Sequence, residues 1–314
     1  MEVNVDYVSA CLVDLAGEVL VTSTLAGDNR RRRGDLVVSR AASAASACIA
    51  SPAAAGRPLA GVGVALPGLV DSSRVLRRAP NLPALEGEDV GARLLEALGR
   101  EDLAVVADNE ANLAALAELV SNSEARRDFV LVSGEIGVGA GIVVAGEIFR
   151  GVRGLAGEIG HVLVDPAGPP CSCGARGCLE QVAGQEALLA GAGISTVAGP
   201  AGRALAARAG AGDLRALAAI ERAGKALGVA LASLVNLLDV PAVVLGGIYS
   251  ELSPWLAAAL AAELDRRVVA RSFAPVELRT SSLGGAAARG AGVAALRWVL
   301  DDPASWRARS LAAG

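Results

Sequence analysis

The chain's 314 residues are enough for two units of ordinary size, and 53% hydrophobic residues with a mean hydropathy of +0.47 supply a large core. A formal charge of −4 and a pI near 5.3 exclude a global basic footprint for nucleic acid. No apolar run reaches the ~18 residues of a membrane span; the greasiest, 226–247, is broken by Asn236, Asp239 and Pro241, and no basic leader opens the chain. The expectation is a cytoplasmic protein without membrane contact.

In chain order, VSACLVDLAGEVLVTSTL predicts two strands joined by a turn at Ala16-Gly17. NRRRR (29–33) reads as a solvated loop, and LVVSRAASAASACIAS as a helix. GVGVALPG is a buried strand ending in the Pro67-Gly68 turn. LAVVADNEANLAALAELV predicts a strand feeding a helix through Asp108-Asn109, with Leu113, Leu116 and Val120 on one face. Glu110 falls in the first turn, where the helix dipole favours an anion. GAGIVVAGEIFRG echoes the first hairpin: an apolar run, Ala-Gly-Glu, a second apolar run. The echo suggests two lobes that open alike. LAAIERAGKALGVALASLVNLLD is apolar almost all round, as in a buried helix. AVVLGG is a strand closing on Gly246 and Gly247. SPWLAAALAAELDRR predicts a helix with Ser253 as N-cap and Pro254 first. VELRTSSLGG and a final helix follow, and the alternation of strands and helices gives an α/β class.

The stretch GEIGHVLVDPAGPPCSCGARGCLEQ (157–181) holds the chain's one histidine and three of its five cysteines. His161, Cys171, Cys173 and Cys178 match the ligand set of a tetrahedral Zn²⁺, closed and therefore structural. Gly174 and Gly177 let the loop wrap inward. The alternative is three loop cysteines and a core histidine that never meet. Cys11 and Cys48 stand alone in apolar surroundings and read as small buried hydrophobes. Glu158 and Glu180 frame the loop. Read from the residues alone, they are either surface carboxylates or paired acceptors for the hydroxyls of a polyol.

GEIGHVLVDPAGPPCSCGARGCLE closely resembles the signature of the ROK family of repressors, open reading frames and sugar kinases. GVGVALPGLVD, APNLP, DNEANLAALAE, GVGAGIVVAGEIFRG and VVLGG occur in family order over nearly the whole chain. The resemblance implies a two-lobed actin/hexokinase-like (ribonuclease H-like) fold with a zinc-binding loop at 161–178. It implies one lobe of about 1–111 with 297–314, a second of 112–296, and a cleft between them. It maps sugar contacts onto Gly68, Asn81, Asn109, Glu110, Glu158, His161 and Glu180, and zinc ligands onto His161, Cys171, Cys173 and Cys178. The family forms homodimers or homotetramers.

Kinases of this family carry Asp-x-Gly-Gly-Thr-Lys in the first hairpin; here Glu2 to Tyr7 (EVNVDY) stand there, and Asp6 would repel a polyphosphate. In the second turn Glu135 and Ile136 replace the leading Gly and the Thr. Gly137, Gly139, Gly141, Gly246 and Gly247 remain of the nucleotide set. Glu110 replaces the usual aspartate base, one methylene longer, and is catalytic only if the chain is a kinase. Loss of both phosphate loops with retention of the sugar residues favours binding without phosphorylation. VNVDYVSACLVDLAGEVL and SGEIGVGAGIVVAGEIFRG are similar to the effector domain of the xylose-repressor-like ROK regulators. Those regulators reach DNA through a helix-turn-helix before this domain; the expectation is that this chain lacks one, either as a truncated effector domain or as a stand-alone chain that has lost DNA binding. The expectation is a sugar-sensing effector domain. The alternatives are an ATP- and Mg-dependent sugar kinase and a non-catalytic interaction protein. Leu85, where many relatives have Trp, is expected to alter the sugar pocket.

Overall fold

The structure is a computed structural model and describes residues 1–121, 128–195 and 200–304. It divides into two compact units. The first comprises Met1–Ser123, Arg150–Ala156 and Leu283–Gly314; the second comprises Glu124–Phe149 and Gly157–Ser282.

The first unit opens with β1 (Glu2–Val3), β2 (Tyr7–Val13) and β3 (Val19–Ala26). The β2–β3 turn forms where expected. Asp14 Oδ1 accepts from the backbone N–H of Ala16 at 2.9 Å and of Glu18 at 3.0 Å, and Gly17 takes φ +80°. Helix α1 (Gly34–Ile49), β4 (Gly61–Leu66), the short hairpin β5 (Leu69–Val70) and β6 (Leu76–Arg78), α2 (Val90–Leu98), β7 (Ala104–Asn109) and α3 (Glu110–Ser121) follow. The sheet order is β3-β2-β1-β4-β7, antiparallel through β1 and parallel beyond it.

The second unit repeats this order with β8 (Phe129–Gly134), β9 (Val138–Val144) and β10 (Glu147–Ile148) as its opening meander. Helices α4 (Glu180–Ala183), α5 (Gln185–Gly191), α6 (Ala201–Gly210) and α7 (Leu214–Leu238), strand β11 (Ala242–Gly247), α8 (Ile248–Arg267) and β12 (Glu277–Thr280) complete it. Its order is β10-β9-β8-β11-β12, again antiparallel through β8 and parallel beyond it. The echoed motifs of the sequence are thus equivalent hairpins, β2–β3 and β9–β10. Helix α9 (Ala286–Asp301) returns the chain to the first unit.

Contacts place α3 and α9 in the first unit, where the sequence expectation drew boundaries at 111 and 297; of its return segment, 305–314 lie outside the described residues. The reason is close packing of small residues. A Cβ on Gly290 would lie 1.7 Å from the Leu113 carbonyl oxygen, and one on Gly63 1.8 Å from that of Ala291. In the second unit the α7–α8 pair forms the core with Leu227, Leu231, Leu256 and Leu260, all fully buried. Asp213 caps α7 by accepting from the N–H groups of Arg215 and Ala216.

Three local expectations are corrected. Helix α8 starts directly from β11 at Gly247 (φ +54°), so Ser253 is no N-cap and Pro254 lies inside the helix. Val120 is 39% exposed while Leu113 and Leu116 are buried. Helix α7 is not covered at its ends, where Leu214 and Leu237 face solvent.

Candidate functional site

The cysteine loop folds as a small knuckle. Bridges pair Leu163 with Cys178 and Pro170 with Arg176. The Gly177 carbonyl accepts from Val164 and Asp165, and the Gly177 N–H donates to Pro169. Gly177 has φ +66°, and a Cβ there would meet the Asp165 carbonyl oxygen at 1.6 Å, so only glycine closes this turn. The ligand atoms of His161, Cys171, Cys173 and Cys178 come within 4.8 Å of one another. His161 Nδ1 lies 3.6 Å from Cys171 Sγ, and Cys173 Sγ lies 3.7 Å from Cys178 Sγ. A tetrahedral ion with bonds of about 2.3 Å to sulfur and about 2.0 Å to nitrogen needs edges of about 3.5–3.8 Å. Those two edges match such an ion, and with all four donor atoms within 4.8 Å the set could hold one of borderline softness. The Ala175 N–H lowers the Cys173 pKa, while burial pushes that of Cys178 up to about 12. Of the other two cysteines Cys48 is buried, with its thiol 3.5 Å from the Ala10 carbonyl, whereas Cys11 is only half-buried, against expectation; burial raises both pKa values.

With Nδ1 turned to the sulfurs, His161 Nε2 faces Glu158 Oε2 at 3.9 Å. The Glu158 carboxyl, 40% exposed, is pushed up by desolvation, against the effect of His161 and with that of Glu180. Glu180, first residue of α4, accepts from Val138 N–H at 3.3 Å, and a Cβ on Gly137 would collide with it at 2.2 Å. The loop thus brings Glu158, His161 and Glu180 into one neighbourhood of the second unit.

The first unit gathers the other expected residues. Asn109 Nδ2 donates to the Gly68 carbonyl at 2.8 Å, while its Oδ1 caps α3 at Ala111 N–H. Gly68 has φ +109°, with the Arg78 carbonyl oxygen 2.2 Å from where a Cβ would be. Glu110 begins α3, and Asn81 lies exposed on the connection after β6. Leu85 is fully buried and packs near Gly34, so it belongs to the core rather than to a pocket.

The turn from Asn4 to Tyr7 is closed on itself. Asn4 N–H donates to the Tyr7 carbonyl, and Asp6 N–H to Asn4 Oδ1. Buried Asn29 donates through Nδ2 to the carbonyls of Asn4 and Tyr7, at 2.8 and 3.2 Å. Tyr7 Oη donates to Glu2 Oε1 at 2.5 Å. Asn4 and the Ala288 N–H add two more hydrogen bonds to that carboxylate, which is 4% exposed. Asp6 instead points outward to Arg30 at 2.6 Å. Its carboxylate is thus paired with a cation rather than turned into the closed turn. At the second turn Tyr249 packs on Gly134 and donates to the Ala183 carbonyl, while Gly139 and Gly141 lie within β9. Gly246 and Gly247 end β11 as expected.

Residues 1–297 match the family model described as "ROK family". The chain belongs to the ROK family. It is 29% identical over 288 residues to the xylose repressor of Bacillus subtilis (strain 168), covering 90% of this chain and 72% of that one. A ROK family glucokinase from Streptomyces griseus, solved with glucose and AMPPNP, superposes with a TM-score of 0.79 at 27% identity, covering 94% of this chain and 98% of that one. A ROK family transcriptional regulator described as a homologue of the E. coli MLC protein gives the same TM-score and identity, covering 94% and 77%. The ROK neighbours establish the actin/hexokinase-like fold for this α/β chain. Among the described residues no helix is long and apolar enough to cross a membrane.

Sequence reasoning on the ROK motifs missed Tyr7, Tyr249, Asp108 and Arg150. Tyr7 stands where ROK kinases place their loop lysine, but the buried Glu2 that it meets is a product of the fold and left no signal in the sequence. Asp108 immediately precedes Asn109, and Arg150 ends the second hairpin.

Proposed function

We propose that the chain is the sugar-sensing part of a ROK transcriptional regulator, binding a monosaccharide or derivative without phosphorylating it. The observation that carries this reading is the sealed turn at Asn4–Tyr7. A kinase needs backbone N–H groups there aimed at phosphates. Here the Asn4 N–H is spent on the Tyr7 carbonyl and the Asp6 N–H on Asn4 Oδ1, while Tyr7 Oη and Asn29 Nδ2 fill the turn by donating to Glu2 and to the carbonyls of Asn4 and Tyr7. Phosphoryl transfer rests on positioning and charge stabilisation of phosphates, so this loss weighs more than the Glu110 substitution.

The proposed partners of the sugar hydroxyls are Gly68, Asn81, Asn109, Glu110, Glu158, His161 and Glu180. The ion held by His161, Cys171, Cys173 and Cys178 would be Zn²⁺, serving as a structural tie for the loop. Sensing requires that the sugar favour one of two conformations, passed on through a homo-oligomer to a DNA-binding helix-turn-helix module.

Calorimetry against hexoses, pentoses and amino sugars tests the binding. Absence of binding at millimolar concentration to zinc-loaded protein overturns the reading. One observation favours the second reading, an ATP- and Mg-dependent sugar kinase: Glu110 stands at the general-base position at the start of α3. An ADP-release assay separates the two. Turnover above ~1 s⁻¹, the lower end for kinases, that is abolished by Glu110→Gln establishes the kinase.

A further inference from the structure

We infer that Arg150 is a positioning residue for sugar binding, acting through Asp108; the inference rests on the sugar-sensing reading above. Asp108 is 6% exposed, yet it makes three bonds. Its Oδ1 accepts from Asn109 N–H at 2.7 Å and Asn112 Nδ2 at 3.0 Å, and its Oδ2 accepts from Arg150 Nε at 2.8 Å. The carboxylate therefore fixes the peptide of Asn109, whose side chain holds Gly68. Arg150 is the charge that compensates this buried acid. An ion pair whose acid is buried differs from an exposed one, because removal of the cation leaves an uncompensated charge.

Arg150 also opens the segment 150–156, which leaves the second unit after β10 and packs on the first. The segment closes as a loop through Ala156 N–H to the Arg150 carbonyl at 3.0 Å. Gly154 (φ +82°) seats it against the backbone of Ser72, just beyond β5. The next residues re-enter the second unit. Gly157 (φ +105°) is held against Ala140, whose N–H donates to the Gly157 carbonyl at 3.1 Å, and Glu158 and His161 follow at once. One guanidinium thus anchors, through Asp108, the peptide of Asn109 and the start of the segment 150–156. Neither task places Arg150 on the sugar.

The test uses the full chain, zinc-loaded, with the sugar that binds the wild type best, in Arg150→Met, Arg150→Lys, Asp108→Asn and the double variant Arg150→Met/Asp108→Asn. Sugar affinity is read by calorimetry, zinc content by metal analysis, Tm by thermal melting, and exchange of the Asn109 amide by hydrogen exchange. Arg150→Met is expected to weaken binding about tenfold or more with full zinc content, Arg150→Lys to recover part of it, and the double variant to lose less than the product of the singles. Asn109 amide exchange is expected to accelerate in Arg150→Met even without sugar. Wild-type affinity and unchanged Asn109 exchange in Arg150→Met overturn the inference alone, as does a loss of affinity that only follows loss of folded protein. A wild type that binds no sugar overturns the sugar-sensing reading and this inference with it.

Discussion

His161 serves two sets of partners: Nδ1 faces Cys171 and Nε2 faces Glu158. Cys173→Ser is therefore expected to lower metal content and weaken sugar binding together, with zinc-to-protein stoichiometry and calorimetry as the readouts. Retained affinity in a metal-free Cys173→Ser protein breaks the proposed link. At this scale the cysteine spacing was legible, because four soft donors in eighteen residues have few other uses. Leu85 was not, because a residue type does not say which way its backbone turns. Nor was the role of Tyr7, which depends on Asn29 arriving from the far end of β3.

Hairpins were legible where side chains write the turn, as Asp14 and Gly17 do. The two-residue strands β1 and β5 carry no periodicity, and one partner of β1, β4, arrives from a distant position. Pro254 misled for a related reason: a proline suits the first helical position by local rules, but β11 delivers the chain into α8 six residues earlier. The helix pair α3–α9 is held by glycine contacts that tolerate no side chain. Gly290→Ala, with a carbonyl oxygen 1.7 Å from the new Cβ, is expected to destabilise the first unit by about 1–3 kcal/mol, measured by urea unfolding. On α8, Arg267 and then Arg266 hold the Glu263 carboxyl below its usual range. That stability is present above the unfolded value near 4.5 and is lost as pH falls through the lower folded value. Melting curves between neutral and acid pH should therefore show a weaker acid dependence in Glu263→Gln than in the wild type.

The two units share a strand order that starts from equivalent hairpins, and this duplication was visible beforehand only as the Ala-Gly-Glu echo. Helix α9 was harder to assign to a unit, since its Ala- and Gly-rich sequence does not name the surface it packs on. The chain's two tyrosines, Tyr7 and Tyr249, stand beside the first and second of the turns where a kinase would seat phosphate. Burial raises the Tyr249 phenol above its usual range, so the unfolded chain loses that proton first and stability falls as pH rises past about 10. Absorbance of phenolate during alkaline titration should show Tyr249 ionising only as the second unit unfolds; a reversible ionisation near pH 10 in folded Tyr7→Phe protein would contradict this. The two phenols, one in each unit, thus give an alkaline phenolate signal that reports separately on the two halves, above a constant contribution from three tryptophans.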